Sequence, residues 1–98
     1  MKTYTICGSM RFSEQMKAIA YYLEIDKRYN ILQCVYSMDD IKPTEEEIQQ
    51  LTKAHYKKID LSDGIYVVNI DGYIGESVHQ EIEYARKCGK EVIFHCDL

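Results

Sequence analysis

Ile65-Tyr66-Val67-Val68-Asn69 is the stretch that decides the fold. A run this short and this continuously apolar, with no polar residue alternating through it, predicts a strand covered on both faces, as in a parallel sheet. A loop holding Gly72 and Gly75 follows, and then Ser77-x-x-Gln80, which reads as a capping box. Val78, Ile82 and Ala85 recur from there at helical spacing, and Gly89 stops the helix. Val92 to His95 predicts a last strand. Upstream, Pro43-Thr44 opens a helix with Thr44-x-x-Glu47 as its capping box and Ile48, Leu51 and Ile59 on its apolar side. Ile31 to Val35 predicts the strand before it. At the start, Thr3 to Cys7 is rich in β formers and stops at Gly8-Ser9. Phe12, Met16, Ile19, Ala20 and Leu23 then trace an amphipathic helix from about Ser9 or Ser13.

The alternation β-α-β-α-β-α-β calls for parallel strands joined by right-handed crossovers, with helices on both faces. The expected fold is therefore α/β and flavodoxin-like, with three layers and a four- to five-stranded parallel sheet in the order 2-1-3-4. Residues 1–98 form one domain. In this order the topological switch falls between the first and third strands, where ligands of open α/β sheets bind beyond the carboxyl ends. Two loops converge there, Gly8 to Ser13 and Asn69 to Ser77.

Composition narrows the partners. At 98 residues, 46% hydrophobic and 29% charged with one proline, the chain has the make-up of an ordinary folded domain. Its longest strictly apolar stretch, Ala18 to Leu23, is far below the roughly 18 residues a membrane span needs, and no signal-like segment opens it. The expectation is a cytoplasmic protein with no membrane partner. A net charge of −4, with Lys53, Lys57 and Lys58 as the densest basic cluster, argues against a nucleic-acid polymer. It leaves room for a small ligand carrying one phosphate. Cys7, Cys34, Cys88 and Cys96 form no C-x-x-C pair and read as buried free thiols, and His55, His79 and His95 show no ligand spacing, so neither metal nor cofactor is expected. Nine tyrosines on so small a chain predict a homodimer or larger assembly.

Chemistry concentrates in three places. Cys7-Gly8-Ser9-Met10-Arg11 runs from a strand end into a helix N-terminus, an arrangement that offers N–H groups to an anion, with Arg11 able to add a charge-assisted contact. The same residues also suit a plain capped turn with Arg11 in solvent. In the third helix, Glu83 projects about 140° from Val78, whereas Glu81 lies about 60° from Val78 and about 40° from Ala85. Glu81 is thus the carboxylate at the edge of the buried stripe, one turn into the helix, where the dipole favours the ionised form of a nucleophile or charge stabiliser. A surface residue complementing the dipole would occupy the same position. His55 falls between Leu51 and Ile59 on the apolar side of the second helix, either as a core histidine bonded to a backbone carbonyl or as an acid, base or ligand donor facing the cleft.

Taken in order, Cys7-Gly8-Ser9-Met10-Arg11, Asp63 before the third strand, Gly72-Tyr73-Ile74-Gly75-Glu76-Ser77, and Glu81-Ile82-Glu83-Tyr84-Ala85 before Gly89-Lys90 resemble the nucleoside 2-deoxyribosyltransferase superfamily. The pattern is most similar to that of the 2'-deoxynucleoside 5'-phosphate N-hydrolases, and the likeness runs over residues 3–95. It implies cleavage or transfer at the N-glycosidic bond of a 2'-deoxynucleoside or its 5'-monophosphate, a small-molecule partner and no cofactor. It implies Glu81 as the nucleophile on C1′, and Gly8, Ser9, Arg11 and Ser77 as phosphate contacts; His55 is expected to handle the leaving base, and Asn69 and Gly75, in the second converging loop, to join the substrate contacts. Two positions depart from the hydrolase pattern: Thr5 stands where a tyrosine is usual, and His55 where an aspartate is usual. The transferases complete their sites with a C-terminal segment of a neighbouring subunit, whereas this sequence ends at Leu98, which implies either a smaller site or a different activity. The rival expectation is a nucleotide-binding or sensing module without turnover.

Overall fold

Strict two-residue alternation along the central strands divides the protein into two cores. The computed structural model describes residues 1–96. The first strand, β1 (Thr3–Gly8), sends Tyr4 and Ile6 to one side and Thr5 and Cys7 to the other. The third, β3 (Gly64–Val68), sends Tyr66 and Val68 to the first side and Ile65 and Val67 to the second, and all five of its residues are buried. With β2 (Asn30–Leu32) and β4 (Glu91–Phe94) they form one parallel sheet in the order β2-β1-β3-β4. This is the expected flavodoxin-like order, with four strands.

Helix α1 (Ser13–Asp26) follows a single 3-10 turn, Met10–Phe12, and packs Met16, Ala20 and Leu23 on the Tyr4 and Tyr66 side of the sheet. Helices α2 (Glu45–Asp60) and α3 (Glu76–Lys87) serve the other side, where Ile59, Val78, Ile82 and Ala85 meet Cys7, Ile65 and Val67. Two close approaches, one between β1 and α1 and one between the neighbouring strands β3 and β4, leave no room for a side chain. A Cβ on Gly8 would come within 2.9 Å of the Met16 sulfur, and one on Gly64 would collide with the Glu91 carbonyl.

Several boundaries differ from those expected. The second strand is not Ile31 to Val35: it ends at Leu32, the last residue paired with β1. An edge strand gains ladder bonds on one side only, and from Gln33 the chain leaves the sheet, with Tyr36 Oη donating to Gln33 Oε1 at 3.0 Å. The last strand begins one residue early, at Glu91, while His95 still donates its backbone N–H to the Val67 carbonyl at 2.8 Å. Thr44 and Glu47 do form a full capping box on α2. Ser77 and Gln80 form none on α3. The helix starts at Glu76, so Ser77 lies inside the first turn, and the cap position falls to Gly75, which has no side chain to offer. Of the four thiols expected to be buried, Cys7 is, Cys34 and Cys96 are half-buried, and Cys88 is exposed. Ile48 and Leu51, expected on a packed face, are 49% and 40% exposed. No helix among the described residues is long and apolar enough to cross a membrane. Asp97 and the Leu98 end lie outside the described residues.

Candidate functional site

A cavity of about 550 Å³ opens at the carboxyl end of β1, between the Gly8 loop, the segment after β2, α2 and the start of α3. Its volume suits a small molecule. Gly8, Ser9, His55, Gly75, Ser77 and Glu81 all line it, so six of the eight expected site residues meet at one place. The loops Gly8 to Ser13 and Asn69 to Ser77 do converge: the Arg11 guanidinium stacks 3.7 Å above the Tyr73 ring, and Phe12 meets the same ring edge-on.

Glu81 occupies the predicted margin of α3. Val78, Ile82 and Ala85 are buried, Glu83 is exposed, and the Glu81 side chain keeps 13% of its surface. Its Oε1 lies 3.2 Å from Nε2 of His55, whose side chain is equally enclosed. Where Glu81 carries its charge it can only accept, and Nε2–H is then the donor of this contact. His55 therefore does not take the backbone carbonyl that a core histidine would use. Its Nδ1 is buried with no hydrogen-bond partner among the described residues. A buried polar atom left without a partner costs free energy.

Cys7 is the residue that sequence reasoning missed. Its Sγ lies 3.5 Å from His55 Nε2, and the parity of β1, which turns residues 5 and 7 toward α2 and α3, could have found it. Burial pushes the Cys7 thiol well above its ordinary range, and the Glu81 charge adds to the shift. The Tyr56 hydroxyl, on the cavity wall one residue after His55, is raised by burial and then by the same carboxylate. Cys34, also on the wall, is raised by burial. Thr5 faces the same way as Cys7 but is fully buried, with its hydroxyl 2.7 Å from Ser62 Oγ, and brings no group into the cavity.

Two expected contacts are placed differently. Asn69 is fully buried, donates from Nδ2 to the Cys96 carbonyl at 3.0 Å and accepts the Cys96 N–H on Oδ1 at 2.8 Å. Both ends of its amide are committed to fastening the chain after β4, which removes Asn69 from the substrate contacts. Arg11 stands outside the lining, exposed and stacked on Tyr73, beside rather than within the cavity. The first turn of α3, without a side-chain cap, directs free N–H groups toward the same end.

Apolar residues complete the wall from the other side: Val35, Pro43, Ile48 and Leu51. Ile48 and Leu51, left uncovered by the core, thus line the cavity from α2. Comparison of the chain with protein-family models, with curated proteins and with solved structures returns no match.

Proposed function

We propose that the protein cleaves or transfers at the N-glycosidic bond of a 2'-deoxynucleoside or its 5'-monophosphate, with Glu81 as nucleophile. The observation that carries this reading is the Glu81–His55 pair at 3.2 Å in the wall of a cavity of small-molecule size. Beside it lie an uncapped helix N-terminus and an arginine suited to a phosphate, and across from it an apolar wall suited to the flat face of a base.

In the first step a Glu81 oxygen bonds to C1′ as the C1′–N bond breaks, through an oxocarbenium-like transition state. The step requires His55 as its imidazolium, whose Nε2–H holds the carboxylate in position. As the carboxylate charge is consumed in the ester, its hold on that proton falls, and the proton passes to the departing base. In the second step water attacks C1′, breaks the ester and returns its proton to His55, while Glu81 leaves as carboxylate. A second base in place of water gives transfer. A 5'-phosphate would bind the first-turn N–H groups of α3 and Ser9, with Arg11 swinging off Tyr73 to join it.

The buried Thr5–Ser62 contact favours one alternative, a nucleotide-binding or sensing module with the cavity but no turnover, because Thr5, at the position of the family tyrosine, brings no group into the cavity. Incubation with a panel of 2'-deoxynucleosides and their monophosphates, with chromatography for free base, separates the two. Base release that Glu81→Gln abolishes and Glu83→Gln leaves within about twofold supports the glycosidic reading. Monophosphate binding without base release supports the module.

A further inference from the structure

Three donor types from three elements converge behind the cavity: the Cys7 thiol from β1, the His55 imidazole from α2 and the Glu81 carboxylate from α3. Sγ, Nε2 and a carboxylate oxygen all lie within 4.8 Å of one another. The Sγ–Nε2 distance is 3.5 Å and the Nε2–Oε1 distance 3.2 Å. A tetrahedral zinc ion, with bonds of about 2.3 Å to sulfur and about 2.0 Å to nitrogen and oxygen, spaces its sulfur and nitrogen by about 3.5 Å and its nitrogen and oxygen by about 3.3 Å. Two of the three separations match those values; the third, sulfur to carboxylate oxygen, lies within 4.8 Å against about 3.5 Å around a tetrahedral ion, so the Glu81 side chain turns toward Cys7 on binding. We propose that Cys7, His55 and Glu81 form a binding site for Zn²⁺ or a divalent ion of similar softness, with the fourth position open to the cavity.

The donor set selects the class of ion. One sulfur and one imidazole nitrogen suit zinc, whereas magnesium and calcium take oxygen. The donors stand on a strand and two helices already packed together, so little ordering remains for the ion to impose. Entry runs through the cavity, whose wall includes His55 and Glu81. Cys7 lies behind them, 1% exposed, and gives its proton to solvent on coordination. The proposal concerns binding and does not rest on the glycosidic reading. Where that reading holds, an ion here occupies the oxygen and nitrogen that base release needs, so the ion inhibits.

Cobalt(II) serves as the probe, because a thiolate ligand gives a charge-transfer band and four-coordination gives intense visible bands. The full chain, kept reduced, is titrated with Co²⁺ and then with Zn²⁺. The expected result is one equivalent bound with both signatures and full displacement by Zn²⁺ but not by Mg²⁺. Cys34→Ser and Cys88→Ser keep the thiolate band, and Cys7→Ser loses it. Glu81→Gln, on the cavity wall, weakens cobalt binding at least about tenfold and tests the site even where Cys7→Ser fails to fold. No thiolate band, a band that survives Cys7→Ser or depends on Cys34 or Cys88, or unchanged affinity in Glu81→Gln overturns the proposal.

Discussion

Helices α2 and α3 cover the same face of the sheet but are built differently. Helix α3 buries a residue on every turn, Val78, Ile82 and Ala85, and its N-terminus has no side-chain cap. Helix α2 buries only Ile59, in its last turn, and has a full capping box at its first. One is anchored by its packing and leaves its N–H groups free. The other is held at its ends and leaves its apolar middle open. The cavity lies between them, the Gly8 loop and the segment after β2, and Glu81 and His55 meet beside Cys7. An amphipathic pattern therefore does not say whether an apolar stripe faces a core or a ligand.

The largest expected effect bears on the one packed turn of α2. Ile59 is fully buried, so Ile59→Ala should cost about 2 to 5 kcal/mol in denaturant unfolding, as Ile82→Ala should in α3. A cost below about 1 kcal/mol for Ile59→Ala would mean that α2 is not anchored there. Next comes the uncapped end of α3. If it and Arg11 hold a phosphate, Arg11→Ala should weaken binding of a deoxynucleoside monophosphate by about 1.5 to 3 kcal/mol in calorimetry, and leave the unphosphorylated nucleoside unaffected. Equal losses for both ligands would sink the phosphate assignment.

Smaller effects sharpen the contrast in capping. Thr44 accepts from the Glu47 N–H at 3.1 Å, and Glu47 Oε1 accepts from the Thr44 N–H at 2.8 Å. Thr44→Ala should therefore cost about 1 kcal/mol in stability, whereas Ser77→Ala, which removes no cap, should stay within about 0.5 kcal/mol. Leu51→Ala, a side chain facing the cavity, should likewise cost under about 1 kcal/mol in stability, accompanied by a measurable loss of nucleotide affinity. A large stability loss with unchanged affinity would return Leu51 to the core.

Most of the architecture was legible because it rests on period. The continuous apolar run at Ile65, the two-residue alternation of β1 and the helical spacing of Val78, Ile82 and Ala85 each select one element type, and the same spacing separates Glu81 from Glu83. What escaped depends on contacts between distant segments. Cys7 looked like an inert core thiol because its neighbours, His55 and Glu81, lie 48 and 74 positions away in sequence. Asn69 looked like a loop-end ligand group, yet its amide is taken by Cys96. Ser77 and Gln80 have capping-box spacing, but Gly75 starts the helix earlier and puts the serine inside it. The end of β2 at Leu32 follows from the lack of a second neighbour, which local sequence does not register.

The central claim is that Glu81 becomes covalently bonded to the sugar. Intact-protein mass spectrometry on samples quenched in acid during turnover of a deoxynucleoside monophosphate tests it directly. The account predicts an added mass of one deoxyribosyl phosphate, mapped by digestion to the peptide holding Glu81 and absent in Glu81→Gln. Continued base release by Glu81→Gln at the parent rate, or an adduct on any other residue, would contradict it.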